Sequence, residues 1–454
     1  MKRAAIPYLG LRLRIMNMLE FGVWGAYLTS MGGFLSSHGM ASHIGIFYAM
    51  QGIVSLFMPA LMGMIADRWV AANRLLGICH SVAAMAVGCM GWMAMQGADA
   101  DALLALYTLS VAFYMPTLAL SYSVAYSSLE LAERNPIKAY PPIRVWGTVG
   151  FICAMLVCDF AGWQQSAGQF LFSASLGIVL GAYCFTLPTS PTSGSAGGWK
   201  ETLGIKAFRL FRHRDMALFF LFSMLLGVAL QITNGFANPF ISSFKEIEQY
   251  ASSFGANHAN ALISISQISE TLCILLIPFA MGRWGIKRVM LIAMVAWVLR
   301  FALFAMGNPA EGVWMFVLSM VVYGVAFDFF NVSGSLYVNH RTEESMRTSA
   351  QGMFMFMTNG IGATIGTLAA QAVVNACVYS QSAGLPQIEG WRVAWLVFAT
   401  YAAIHLRKQG GRDLHAGNSA HIQSRRQPAD IPHDTAADRE QTRGSSQPCP
   451  CHFL

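Results

Sequence analysis

Two carboxylates stand where water should be absent. Asp328 lies in the run Val321-Val322-Tyr323-Gly324-Val325-Ala326-Phe327-Asp328-Phe329-Phe330-Asn331, and Glu270 in Ile265-Ser266-Gln267-Ile268-Ser269-Glu270-Thr271. Both strings sit inside apolar stretches long enough to cross a lipid bilayer. A carboxylate at that depth is costly and by default functional. Such a group can hold a proton, grip a polar solute, or do both in turn. Two of them point to a proton-coupled solute path.

The neighbouring residues fit that chemistry. Tyr323 and Phe327 are four apart and share a helix face, with Asp328 at its edge. An aromatic wall beside a carboxylate suits a flat solute that bears hydroxyl groups. Gln267 and Glu270 are three apart, forming a polar stripe with Ser266. Gln231 and Asn234 repeat this spacing, and their amides can read a base edge or ribose hydroxyls. Gly235 and Pro239 suggest that this helix is kinked or broken.

Arg144, Thr148 and Phe151 follow the helix-starting pair Pro141-Pro142 at i, i+4 and i+7. Arg144 either snorkels to the interface or crosses a cavity to Glu270 or Asp328. Glu20, beside Phe21 and Trp24, is a candidate third protonatable group. Arg300 reads as an interfacial anchor or an ion-pair partner. Gly360, Gly362 and Gly366 read as close-packing positions.

These residues need a membrane-spanning frame, and the composition supplies one. The 454 residues are 55% hydrophobic and only 11% charged, where soluble domains carry about 25% charged residues. The apolar runs do not alternate, so the expectation is an all-α polytopic membrane protein. Eleven candidate spans are read at 13–36, 44–65, 75–96, 102–127, 143–163, 168–187, 216–242, 259–281, 287–306, 312–337 and 349–378. A twelfth begins near Val393 and fails at His405.

The excess positive charge is sided. Lys2, Arg3, Arg12 and Arg14 precede the first span, and the loops after even-numbered spans hold most other Lys and Arg. Lys245 and Arg392 are exceptions. The positive-inside rule places the N-terminus in the cytoplasm. No cleavable signal peptide is evident. Cys79, Cys89, Cys153, Cys158, Cys184, Cys273 and Cys377 lie in or beside apolar runs without metal or disulfide spacing and read as core filler.

The chain divides into residues 1–187, an N-terminal six-helix bundle, and 216–404, a C-terminal bundle whose last helix is incomplete. Between them, 188–215 reads as a flexible linker followed by a basic amphipathic helix from Trp199 to Arg214. Residues 405–454 read as a disordered polar tail. The 12 or so apolar residues from Val393 to Ile404 rise roughly 18 Å, short of a hydrocarbon layer of about 30 Å. A reading-frame change is one account of that stop.

Gly63-Met64-Ile65-Ala66-Asp67-Arg68 after span two is echoed by Gly282-Arg283-Trp284-Gly285-Ile286-Lys287-Arg288 after span eight. Two parallel six-helix repeats match the major facilitator architecture. The first loop is similar to that superfamily's Gly-x-x-x-Asp-Arg signature. This resemblance makes Gly63, Asp67 and Arg68 a conformational gate.

Longer strings resemble one family, the nucleoside:proton symporters. They are Phe57-Met58-Pro59-Ala60-Leu61, Tyr114-Met115-Pro116-Thr117-Leu118, and the segments 141–151, 230–234, 265–272, 323–334 and 349–362. The resemblance covers roughly residues 9–404. It implies import of purine and pyrimidine nucleosides with protons through the bacterial inner membrane. It also implies a pocket of Arg144, Thr148, Phe151, Gln231, Asn234, Gln267, Glu270, Tyr323, Phe327 and Asp328, with Asp328, Glu270 and Glu20 as coupling groups. Glu20 departs from the family, where Gln is frequent.

The expected partners are nucleosides, protons and lipid, for a monomer with no cofactor, no metal and no nucleic acid. Motifs for nucleophilic catalysis, metal binding or phosphate cradling are not found, so an enzyme is not expected. The rival readings are a carrier for another polyhydroxylated solute such as a sugar, or a non-transporting truncated remnant.

Overall fold

Helices account for every regular element among the described residues of the computed structural model, which are 7–189, 205–342, 347–380 and 386–424. The longer ones form twelve segments among the described residues, here called spans. The end of the bundle at which Leu9 starts the first span is called the near face, and the opposite end the far face.

Span one is Leu9–Gly25 continued, after a turn, by Met31–Ser37; span two is Ile44–Ser55 continued by Met58–Arg68. Spans three to six are Ala72–Met95, Ala100–Leu131, Pro141–Phe160 and Gly168–Cys184. Span seven is Arg214–Ser243. Spans eight and nine lie in Ala259–Met306, divided at Gly285, whose φ of 74° only glycine adopts readily. Span ten is Val313–Arg341. Span eleven runs from Arg347–Met355 through a π-helical stretch, Phe356–Gly362, to Ala363–Val374. Span twelve is Gln387–Ser424. By length and composition, eight helices among the described residues can cross a membrane.

Two departures from the sequence expectations concern where helices break and begin. Spans one and two are interrupted, the second where Pro59 enters the first turn of a new helix. Span seven runs as one helix through Pro239, which leaves a kink rather than a break as the reading of Gly235 and Pro239. Span twelve begins at Gln387 and stays helical past His405. Its wall of Trp391, Ala394, Trp395 and Phe398 is fully packed, which anchors the helix ahead of the apolar run. The apolar part still stops at Ile404. The tail beyond 424 and the linker at 190–204 lie outside the described residues; Ile205–Arg212 forms a 3₁₀ helix.

The apolar core has an uneven layout. One large cluster joins both halves, bringing Tyr27, Phe34, Phe47 and Tyr48 together with Phe236, Phe240 and Trp391. Two others stay within single halves. One gathers Leu13, Leu76, Leu129 and Leu180; the other gathers Phe220, Ile277, Phe330 and Phe354. The shared cluster takes in the far ends of the spans, the separate ones the near ends.

Polar contacts follow the same division. At the far face Thr29 donates to Asn260 Oδ1 at 3.2 Å, and Asn238 donates to the same oxygen at 2.9 Å. Gln164 donates to the Asn257 carbonyl at 2.6 Å, and Gln371 accepts from the Gly45 amide at 2.6 Å. Asp159 Oδ2 lies 3.2 Å from His258 Nδ1 and accepts from the Ala261 amide. At the near face, a side chain added at Gly63 or Gly282 would meet open space. Asp67 is exposed there. This arrangement is closed at the far face.

Candidate functional site

Span five owes its placement to close approach. A Cβ at Gly150 would run into the Met18 carbonyl, so spans one and five pack backbone to backbone. That packing fixes the stripe of Arg144, Thr148 and Phe151. The Arg144 guanidinium lies 3.9 Å from the centre of the Phe21 ring, and its Nε donates to the Tyr122 hydroxyl at 3.1 Å. It stands within electrostatic range of Glu270 in the other half. Of the two readings of Arg144, the structure favours the inward one. Phe151 is buried, edge-on to Trp24 at 6.3 Å.

The C-terminal half is built the same way. Gly324 lets span ten close on the Ser269 carbonyl of span eight, and the Ser269 hydroxyl donates to the Val321 carbonyl. This sets Glu270 beside Tyr323 and Asp328, all three within electrostatic range of one another. Tyr323 and Phe327 stack at 5.8 Å with ring planes 7° apart. Asp328 is buried, and its Oδ2 makes no hydrogen bond among the described residues.

On span seven, Asn234 donates to Gln231 Oε1 at 3.2 Å. Arg144, Thr148, Gln231, Asn234, Gln267, Glu270 and Phe327 are all partly exposed. Polar side chains at bilayer depth that keep some exposure line an interior space rather than a packed core.

Glu20 has a different setting. It is fully buried behind Tyr114, whose hydroxyl donates to the Glu20 carbonyl. Its Oε2 lies 2.6 Å from His80 Nε2, and Thr117 donates to Oε1 at 2.6 Å. Glu20 therefore ties spans one, three and four together.

Several residues here were not singled out from the sequence. His80 is an isolated His in an apolar run, and its partner is sixty positions away. Asn238 extends the Gln231–Asn234 stripe by one turn, a signal that was present at i+7 and i+4. Arg300, read as an interfacial anchor or an ion-pair partner, is buried and makes no ion pair among the described residues. Gly362 and Gly366 pack against Met224 and Val228 of span seven, and Gly360 against Leu56, as close-packing positions should.

The fold defines a membrane carrier of the major facilitator type, with Arg144 of one half within electrostatic range of Glu270 of the other. The profile of a family described as "Nucleoside H+ symporter" matches residues 8–407. The chain belongs to that family, and it is a transporter rather than an enzyme.

Among its relatives is the nucleoside permease NupG of Escherichia coli (strain K12), 44% identical over 401 residues, or 87% of this chain and 94% of that one. The xanthosine permease of the same organism is 41% identical over 399 residues, 87% of this chain and 93% of that one. The crystal structure of the nucleoside transporter NupG superimposes with a TM-score of 0.82 at 42% identity, covering 89% of this chain and 98% of that one.

Proposed function

We propose that the chain takes up nucleosides together with protons across the bacterial inner membrane, the halves rocking about a polar chamber between them in alternating access. Proton-coupled nucleoside uptake is the activity of the family to which it belongs. Sidedness follows from charge: Arg12, Arg14, Arg68 and Arg74 lie toward the near face, which is then cytoplasmic. The structure is accordingly the inward-facing arrangement, with Gly63, Asp67 and Arg68 closing the near face in the opposite state.

In this reading, Gln231, Asn234 and Gln267 hold base and ribose through amide donors and acceptors. Phe151, Tyr323 and Phe327 flank the base, and Arg144 and Thr148 close the pocket from the N-terminal half. Asp328 and Glu270 carry the coupling proton. The observation that carries the reading is that Arg144 of one half stands within electrostatic range of Glu270 of the other, and Glu270 within range of Asp328. A cation on one half acts on a carboxylate of the other, which is itself coupled by charge to Asp328, so a proton gained or lost there changes the attraction between the halves. Glu20 takes a lesser part, since its carboxylate is already engaged by His80 and Thr117. We take the carrier to act as a monomer with no cofactor beyond the proton.

Radiolabelled uridine uptake in a nucleoside-transport-deficient strain, with and without a protonophore, is the test. Accumulation that collapses with the protonophore and is competed by unlabelled adenosine supports the proposal. Accumulation unaffected by adenosine but competed by a hexose would replace the nucleoside with a sugar.

A further inference from the structure

A buried guanidinium stands behind the aromatic wall of the chamber. Arg300, on span nine, is 2% exposed. Its Nη1 donates to the Ser319 carbonyl at 2.7 Å and to the Ser266 hydroxyl at 3.4 Å. Its guanidinium carbon lies 4.5 Å from the centre of the Tyr323 ring and 5.4 Å from that of Phe304. The Ser319 hydroxyl donates back to the Arg300 carbonyl at 3.0 Å. Nε is buried and unbonded, and no carboxylate pairs with the cation among the described residues.

A cation buried without a counter-charge is costly, and an apolar side chain of similar size would pack there at less cost. What the cation holds gives it a purpose. Trp297, one helical turn earlier on span nine, meets the Tyr323 ring edge-on at 6.1 Å. Together Trp297 and Arg300 cradle Tyr323, which stacks on Phe327. The same guanidinium reaches Ser266 on span eight, the residue before Gln267. One side chain thus links the aromatic wall on span ten to the amide and carboxylate stripe on span eight. A planar guanidinium does this through its face and its edge together; an ammonium offers no such plane.

We infer that Arg300 is a positioning residue for nucleoside binding, acting through Tyr323 to set the distance between the Tyr323–Phe327 wall and the Gln267–Glu270 stripe. It does not itself touch the nucleoside. The inference depends on Tyr323 lining the pocket, as proposed above.

The test is nucleoside affinity, measured as uridine KM for uptake and as Kd by calorimetry on the purified carrier. The variants are Arg300→Lys, Arg300→Met, Tyr323→Leu and the double variant Arg300→Met/Tyr323→Leu. The expected result is a KM and Kd raised about tenfold in Arg300→Met, with maximal rate within about twofold. Arg300→Lys should lie in between. The double variant should bind no more weakly than Tyr323→Leu alone, because Arg300 has nothing left to position.

Additive losses in the double variant, or an unchanged Kd in both Arg300 variants while Tyr323→Leu weakens binding, would overturn the inference and leave the pocket standing. An unchanged Kd in Tyr323→Leu would instead remove the pocket assignment itself. Should Arg300→Met not reach the membrane, the Kd of Arg300→Lys decides: a rise with unchanged maximal rate supports positioning, no rise refutes it.

Discussion

The two halves bury their carboxylates in opposite ways. Glu20 in the N-terminal half has a partner at each oxygen, His80 at 2.6 Å and Thr117 at 2.6 Å. Asp328 in the C-terminal half is buried as deeply, yet its Oδ2 makes no hydrogen bond among the described residues. Another carboxylate, Glu270, lies within electrostatic range of it. A fully partnered carboxylate gains little from a change of protonation, because each of its hydrogen bonds would need rearranging. An unpartnered one beside a like charge gains most. The difference is the ground for proposing frame duty for Glu20 and proton exchange for Asp328, although both are single carboxylates in apolar spans.

The sharpest way to break that contrast is Asp328→Asn. The amide keeps the volume and cannot take up a proton. Uphill uridine accumulation should fall by about tenfold or more, while counterflow exchange between equal pH values persists. The dependence of uptake on external pH should flatten with it. Intact accumulation would move proton exchange elsewhere, with Glu270 the next group to test.

The second comparison concerns the two glycine contacts. A methyl group at Gly150 would meet the Met18 carbonyl, and one at Gly324 the Ser269 carbonyl. Gly150→Ala and Gly324→Ala should each destabilise the carrier by about 1–3 kcal/mol through overpacking, read as a lowered melting temperature in detergent. Only Gly324→Ala should also raise the uridine KM, because it separates Glu270 from Tyr323 and Asp328. Equal KM values in the two variants would mean that the C-terminal half is no more sensitive to spacing than the N-terminal one.

What the sequence made legible, and what it hid, divides along the same physical line. Periodicity and local spacing revealed the spans, the Arg144–Thr148–Phe151 stripe and the Gln231–Asn234 pair, because helix faces are set within a few residues. Asp328 stood out by cost alone. The partners of Glu20 and Arg300 were hidden because they come from other helices. His80 is sixty positions from Glu20, and Ser319 and Tyr323 reach Arg300 only once spans nine and ten are packed. Without those partners, Glu20 and Asp328 look alike on paper. Span twelve starts as a helix ahead of its apolar run for a related reason. Hydropathy ends at Ile404, but helix formation is set by the hydrogen bonds of the backbone and the packing of Trp391 and Trp395, which start it earlier.

Asp159 offers a third test, placed where the halves meet. Its Oδ2 takes both the His258 ring and the Ala261 amide at the start of span eight. Asp159→Asn retains one acceptor and loses the charge that favours a helix N-terminus. The far face should close less firmly, so a cysteine introduced at the far end of the chamber should react faster with a membrane-impermeant thiol reagent added outside. The expected change is a few-fold, matching about 1 kcal/mol. An unchanged rate would show that the amide network around Asn238 and Asn260 holds the far face by itself.

The smallest effect should come from Glu20→Gln. The Gln carbonyl still accepts from His80 or Thr117, and its amide nitrogen can donate in turn. Uphill accumulation should stay within about twofold of the original chain, with its pH dependence retained. Glu20→Ala is the contrasting variant. It leaves the buried His80 without any hydrogen-bond partner, since Nδ1 is already unbonded. That change should cost about 3 kcal/mol or more in stability, as truncation of one member of a buried pair does. If Glu20→Gln abolished accumulation as completely as Asp328→Asn while the protein remained stable, the two halves would share the proton. The contrast between a partnered and an unpartnered carboxylate would then have no bearing on which one does the coupling.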